Sequence, residues 1–372
     1  MKHQHAPLAV TLVCGLAGAG KSAVARELSG AAPTGPSRLA PPSADGADEF
    51  AFDLAEFLCE LADDGQRGHV VVEIGSEVDA VETGLIVEAV VRARELEAPA
   101  VVLRELVVVA SVPQVRRLLF GDVQGGGAAG GDAAGGDTAD FDTVDFELAE
   151  SLARQLEFGT SVVLTHCDDV PAARLLEVVG LVSKLNPRAS VIRLASDSAL
   201  NGDRHPRAWR TRPAGAATRA PLGQAMGWAL ELSGQAGPPV SVAGVSSFVF
   251  SDPRPFHPGR LAEVVAHCLV PDRVGTILRS RGLVRLASRV DSVGSWASAG
   301  GVLSLDPTSM VSWHTDSPAG QEIAFFGLDL RPHELGAALS AALLSDDELV
   351  AGPMEWARYP DEFPVWAGQH DH

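Results

Sequence analysis

Residues 15–22 read Gly15-Leu16-Ala17-Gly18-Ala19-Gly20-Lys21-Ser22, which satisfies G-x-x-x-x-G-K-[ST]. No other feature restricts the fold of this chain so tightly. The run before it, residues 8–13, is short, apolar and β-rich, and SAVARELSG after it has a helical pattern closed by Gly30. A strand, a glycine turn and a helix in that order let backbone N–H groups close round a phosphate, with the positive end of the helix aimed at the same point. Gly15, Gly18 and Gly20 are the candidate cradle, Lys21 the side chain that reaches the phosphates, and Ser22 a candidate Mg2+ ligand. Of 29 Lys and Arg residues only Lys2, Lys21 and Lys184 are lysine, so a lysine kept here points to required chemistry.

The pattern downstream decides what surrounds that turn. Residues 52–61 predict a helix on Phe52, Ala55, Leu58 and Leu61, residues 69–74 a buried strand, and residues 83–97 a helix. A strand over 100–110, a helix over 144–157, a strand over 161–164, a helix over 172–185 ending at Asn186-Pro187, and a strand over 189–194 complete the alternation. Strands alternating with helices mean an α/β domain with a mainly parallel sheet, a P-loop nucleotide-binding domain spanning residues 1–200. Within it, residues 31–48 read as a Pro/Ala/Ser loop, and the Gly/Ala/Asp tract 121–140 as a disordered insertion, too poor in apolar side chains to fold. Residues 201–240, rich in Arg, Pro and Gly with one helix-capable piece near 221–232, are the expected linker. Beyond it a strand over 245–250, a helix over 258–268, further strands and a helix over 332–343 predict a smaller α+β domain, residues 241–368.

Composition narrows the partners. A net charge of -19 sets most of the surface against nucleic-acid phosphate, so no general nucleic-acid binding is expected. No long charge-free apolar run suggests a membrane span. The first 25 residues imitate a signal peptide, with an A-x-A at Ala23–Ala25, but Lys21 interrupts the cleavage region and Val13 is too bulky for a lipoprotein site before Cys14. The expectation is cytoplasmic. Cys14, Cys59, Cys167 and Cys268 have no C-x-x-C spacing and suggest neither a disulfide framework nor a four-cysteine zinc site.

A phosphate loop by itself sets neither base choice nor hydrolysis. Glu73, at the end of the strand over 69–74, is placed to join Ser22 on Mg2+, or else to cap the strand end as a solvated carboxylate. After the strand over 161–164 comes Thr165-His166-Cys167-Asp168, where a guanine reader would have N-K-x-D. Asp168 can accept from the guanine N1 and N2 donors, while Asn and Lys have become Thr and His. Adjacent side chains such as His166 and Cys167 rarely converge on one metal ion.

These features together resemble the CobW-type branch of P-loop GTPases, a family of metal chaperones. The resemblance rests on the loop with Lys21 and Ser22, the run Glu73–Asp79, LEFGTSVVLTHCDDV and LNPRASVIR. Towards the C-terminus it rests on Pro255-Phe256-His257-Pro258, ILRSRGLVRLASRVD, SWASAGG, EIAFFGLDL and AALLSDDELVAGPMEWARYPDEFPVW, so it covers nearly the whole chain. It implies GTP, with ATP as the other nucleotide such a loop accepts, together with Mg2+ and zinc chemistry. The departures count as much. The family's C-x-C-C metal motif is missing, only Cys59 standing in that region; the Asn-Glu pair of its γ-phosphate sensor is gone; its VVDA strand ends here on Ala110; and Ser76 replaces its glycine after Glu-x-Ser. Zn2+ would therefore bind without a C-x-C-C site, and no catalytic residue is assigned.

Other clusters remain open. The pairs His3/His5 and His370/His372 are weak metal candidates. His257, just before Pro258, suits a helix cap better than a ligand. Arg279, Arg281, Arg285 and Arg289 share one strand face by their odd spacing, either as a solvated basic face or as a partner contact; Arg204, Arg207, Arg210 and Arg212 cluster in the linker, and Trp296 and Trp313 are expected to pack in the core or between domains. The expectation is a GTP-binding protein of metal, most plausibly zinc, homeostasis with slow or lost hydrolysis and an unknown client protein. The alternative is an interaction protein of zinc shortage acting on a large partner such as the ribosome, with a vestigial nucleotide site. An ATP-using kinase-like enzyme is the third, without an acceptor-site motif to support it.

Overall fold

The structure is a computed structural model, and it describes residues 7–30, 47–94, 100–122, 143–194, 222–223, 226–236, 241–314, 317–318 and 320–366. The loop 31–48 (but for its last two residues), the tract 121–140 beyond Asp122, most of the linker with its four arginines, and His3, His5, His370 and His372 lie outside the described residues. The chain divides into two compact units: Met1–Val115 with Ser151–Met226, and Arg116–Glu150 with Gly227–His372.

The first unit is an α/β sheet. Its elements follow in the order β1 (Leu8–Cys14), α1 (Lys21–Gly30), α2 (Ala47–Asp63), β2 (Gly68–Glu73), α3 (Ala80–Ala93) and β3 (Val101–Ser111). Then come α4 (Val112–Phe120) and α5 (Thr143–Phe158), of which residues 116–120 and 143–150 belong to the second unit, followed by β4 (Ser161–Thr165), α6 (Ala172–Leu185) and β5 (Ser190–Arg193). The strands pair in the order β2-β1-β3-β4-β5, and every pairing is parallel. The inner strands are apolar on both faces because helices cover both sides of such a sheet; Leu8, Val10, Leu12 and Val13 are fully buried. The order places β1 between β2 on one side and β3 on the other. The chain thus reverses direction across the sheet at β1, and the crevice outside the carboxyl ends of strands at such a point is where open α/β sheets bind ligands.

Two helices differ from the sequence expectation. α2 buries Ala51, Leu54, Ala55, Leu58 and Ala62, while Phe52 is 52% exposed. Its stripe is turned by one residue, so Phe50 rather than Phe52 enters the core. α4 was not anticipated at all, yet Val112, Val115, Leu118 and Leu119 repeat at helical spacing and are all buried. Pro113 sits in its first turn, where a missing N–H costs nothing.

The second unit carries α7 (Gly227–Leu232), β6 (Val245–Asp252), α8 (Pro258–His267), α9 (Pro271–Val274), β7 (Thr276–Val284) and β8 (Ser292–Ala299). These are followed by β9 (Val302–Val311), β10 (Gln321–Leu328), α10 (Pro332–Ala341), α11 (Asp346–Ala351) and α12 (Pro353–Trp356). Its sheet is antiparallel in the order β6-β10-β7-β8-β9. Phe250, Phe256, Leu261, Trp296, Phe325, Leu335 and Leu339 form the core between that sheet and its helices. Trp296 satisfies its indole N–H on the Ser280 hydroxyl at 2.8 Å. His257 caps α8, its Nδ1 accepting from the Arg260 N–H at 3.3 Å, with Pro258 at the first helical position. Trp313 is not a core residue: it is 70% exposed.

Candidate phosphate-binding site

The register of the parallel strands brings four strand ends together at the carboxyl end of the sheet. Cys14 ends β1, Glu73 ends β2 opposite Val13, Ser111 ends β3, and Thr165 ends β4 opposite Ser111. The loop 15–20 leaves β1 there and enters α1 at Lys21. Gly15 opens it at φ +149°, and a Cβ on that residue would stand 2.2 Å from the Val109 carbonyl oxygen of β3. Only glycine lets the chain leave β1 so close to its neighbour. Gly18 and Gly20 also have positive φ, +77° and +92°, which turns the loop round and points it into the helix.

Lys21 folds back over the loop and donates from Nζ to the Gly15 carbonyl at 2.8 Å. Burial pushes its pKa down, and the nearby Glu73 and Glu77 carboxylates act in the opposite direction. Ser22 donates from Oγ to Glu73 Oε1 at 2.6 Å. The structure therefore brings together the cradle glycines, Lys21, Ser22 and Glu73. Asp79, the last acid of the run that begins at Glu73, serves elsewhere. It caps α3, accepting from the N–H groups of Val81 and Glu82 at 2.9 and 3.0 Å, and pairs with Arg154 at 2.8 Å.

The turn after β4 meets the same loop. Thr165 Oγ1 donates to the Ala19 carbonyl at 2.8 Å. His166 holds a left-handed backbone at φ 54°, which histidine tolerates better than most residues, and its Nδ1 lies 3.0 Å from the Thr165 hydroxyl. Cys167 points inward, its thiol on the Leu164 carbonyl at 3.3 Å and its pKa raised by burial. Asp168 is exposed in the short 3-10 turn that follows. The sequence reading missed two contacts, Thr165 on Ala19 and Gln114 Nε2 on the Ala17 carbonyl at 2.6 Å. No local signal marks either one.

Metal fit divides sharply. The Ser22 and Glu73 oxygens are already 2.6 Å apart, close to the edge of about 2.9 Å between neighbouring ligands of an octahedral Mg2+ with bonds near 2.05 Å. Two hard oxygens beside a phosphate cradle fit Mg2+ well. Zinc is different. Among the described residues no group of three His, Cys, Asp or Glu side chains converges on one point. Cys14 is fully buried beneath the loop with its thiol pushed up to about 12, so it is no thiolate. Cys59 is buried as well.

The arginines of residues 279–289 do not form one exposed stripe. Arg279 is fully buried, paired with Glu150 of α5 and donating to the Ser298 carbonyl at 3.3 Å. Arg281 reaches the same carboxylate at 3.1 Å and lies over the Trp228 ring. Arg289 leaves the strand, pairs with Asp361 at 2.8 Å and stacks on Trp366. Arg285 gives its backbone N–H to Gln321 Oε1 at 3.0 Å. Burial and internal carboxylates thus take up the side chains of Arg279, Arg281 and Arg289, whose alternation alone had suggested a free face. Among the described residues no helix is long and apolar enough to cross a membrane.

Fold and site define a P-loop-type α/β domain accompanied by a separate antiparallel-sheet domain. The second of these is recognisable by sequence: residues 245–343 match the cobalamin synthesis protein cobW C-terminal domain. Zinc-regulated GTPase metalloprotein activator 1 of Dictyostelium discoideum is 26% identical over 241 residues, 58% of this chain and 48% of that protein. A zinc chaperone of Mycobacterium tuberculosis is 30% identical over 249 residues, 59% of this chain and 55% of that protein. The chain spans about half the length of the curated relatives it matches. The crystal structure of Zn(II)-bound YjiA GTPase from E. coli aligns with 91% of this chain and 99% of that one at 14% identity and a TM-score of 0.31, a likeness too slight to carry weight.

Proposed function

We infer that this chain is a GTP-binding protein of zinc homeostasis that holds Mg·GTP on the loop 15–22 and turns it over slowly or not at all. The observation that carries the reading is the assembled pair Ser22 and Glu73, 2.6 Å apart beside Lys21. A glycine turn alone binds anions; a turn with a two-oxygen metal seat is suited to a nucleotide with its cation. Bound there, Mg2+ would neutralise phosphate charge, held by Ser22 and Glu73, while Lys21 and the loop N–H groups of Gly15, Gly18 and Gly20 hold the phosphates and Asp168 reads guanine. The zinc connection comes from the relatives named as a zinc-regulated activator and a zinc chaperone. Zinc itself finds no seat among the described side chains, so this part of the reading makes the chain a nucleotide-dependent actor in zinc supply rather than a carrier by its described residues. Slow turnover is the reading favoured by β3, which ends in Ala110 and Ser111 and so offers no acid from that strand end.

Titration calorimetry with GTP, ATP and Zn2+ on the same sample tests this. Mg·GTP is expected to bind in the micromolar range and about tenfold or more tighter than Mg·ATP, the margin of a lost charge-assisted hydrogen bond to the base. Absence of nucleotide binding would overturn the reading; equal affinity for GTP and ATP would remove only the role of Asp168. Glu73→Gln should not weaken nucleotide binding without Mg2+, since it removes a carboxylate beside the phosphates, and should cut the gain that Mg2+ adds by roughly tenfold. An undiminished Mg2+ effect in that variant would dismiss Glu73 as a ligand.

A further inference from the structure

Two side-chain N–H donors from different elements rest on carbonyls of the phosphate loop. Lys21 Nζ lies on Gly15, and Gln114 Nε2 lies on Ala17. The Gln114 amide nitrogen is also 3.6 Å from the point where a Cβ on Gly18 would stand, so it lies against the crest of the turn. Its backbone is well fixed. Gln114 follows Pro113 in the first turn of α4, between Val112 and Val115, which are both fully buried. Its side chain is partly exposed and has a long, adjustable reach.

A loop carbonyl is a neutral acceptor. A phosphate oxygen is charged, and a hydrogen bond to it is roughly twice as strong. Lys21, at the first residue of α1, together with the helix N-terminus belongs to the end of the loop nearest the inner phosphates. Gln114 comes from a different element, at the junction of β3 and α4. That strand ends in Ala110 and Ser111, and the amide one turn on is the group this junction places on the loop. An amide suits the task physically: it adds no charge of its own and still donates to an anion.

We propose that Gln114 positions the outermost phosphate, exchanging the Ala17 carbonyl for that phosphate when a triphosphate fills the loop, so that it distinguishes triphosphate from diphosphate. The inference rests on the reading of the loop as a nucleotide site. Gln114 is a positioning residue in this scheme and takes no covalent part.

The test is calorimetric titration of the full chain, unsubstituted and as Gln114→Ala and Gln114→Glu, with Mg2+ and GDP or the non-hydrolysable analogue of GTP with an imido bridge. The matching adenine pair is run alongside, so that base choice plays no part. Gln114→Ala is expected to bind triphosphate about tenfold more weakly while diphosphate affinity stays within about twofold. Gln114→Glu, which sets a carboxylate against the terminal phosphate, should lose more triphosphate affinity than the alanine variant and again spare diphosphate. Equal losses for both nucleotides would show a mere brace on Ala17 and overturn the proposal; so would no loss in either. Thermal melting of each variant confirms that the fold is kept. If the unsubstituted chain binds neither nucleotide, the phosphate reading itself falls and this inference with it, whereas binding without a base preference leaves the Gln114 comparison fully readable.

Discussion

Lys21→Ala is expected to lower affinity for Mg·GTP by about 100-fold to 1,000-fold, which in most assays reads as abolished binding. The ammonium group is half-buried at the end of a sheet and already holds one loop carbonyl at 2.8 Å. On binding it would move to charged phosphate oxygens, and two charge-assisted hydrogen bonds of about 1.5–2 kcal/mol each give that range. The loop itself should survive, because its shape is set by Gly15 against Val109 and by the Thr165 tie to Ala19. Calorimetry gives the affinity, and a thermal melt within a few degrees of the parent protein separates lost binding from lost fold. Affinity within about threefold of the parent would show that the loop holds phosphate without its lysine and would undo the assignment at its centre.

Glu150→Ala is expected to destabilise the second unit by about 3 kcal/mol, a fall of roughly 6–12 °C in melting temperature for a unit of this size. Arg279 is fully buried, and Glu150 is the carboxylate that both it and Arg281 share. Taking away that carboxylate removes the ion pair that a fully buried guanidinium makes with it, and more of the desolvation cost then stands against folding. Glu150→Gln, which keeps an acceptor and loses the charge, should fall between the two. The double variant Glu150→Leu, Arg279→Leu should recover most of the loss, because no buried charge remains. Melting curves of the four proteins check the set; a Glu150→Ala protein that melts within about 2 °C of the parent would mean that the ion pair is energetically idle.

The doubly wound half was readable because its signals are local. Apolar strands of five to seven residues, the glycine turn and the helix stops at Gly30 and Asn186 recur where the sequence places them. α6 begins and ends at the expected residues. α4 had a legible 3.6-residue period, but it starts directly from β3 without a turn and runs towards a Gly/Ala tract that draws the eye away. In α2 the stripe is ambiguous because Phe50, Phe52 and Phe57 leave two faces apolar, and packing against the sheet chooses between them. The site was half readable. Gly15, Lys21, Ser22 and Glu73 follow from a motif and a strand end, whereas Gln114 meets Ala17 across 97 residues and Thr165 meets Ala19 across 146. Sheet order makes those contacts, and no spacing rule carries it. The same holds for Arg279: alternation assigns a face, but only the neighbouring carboxylate of Glu150 shows that the face is covered.

The substitution of threonine in Thr165-His166-Cys167-Asp168 reads in sequence as damage to a base reader, yet its hydroxyl grips the Ala19 carbonyl at 2.8 Å. That single bond couples the turn bearing Asp168 to the turn that would carry phosphate. A nucleobase that steadies one turn thereby lowers the entropy still to be lost by the other, and phosphates that order the loop do the same for the base. By linkage the two halves of a nucleotide would each strengthen the grip on the other by the same factor. A bare base and a bare polyphosphate, offered separately, would each bind less well than their sum in one molecule suggests, because each would have to order both turns alone. Under the proposed reading the site would thus behave as one cooperative clasp instead of two adjoining contacts.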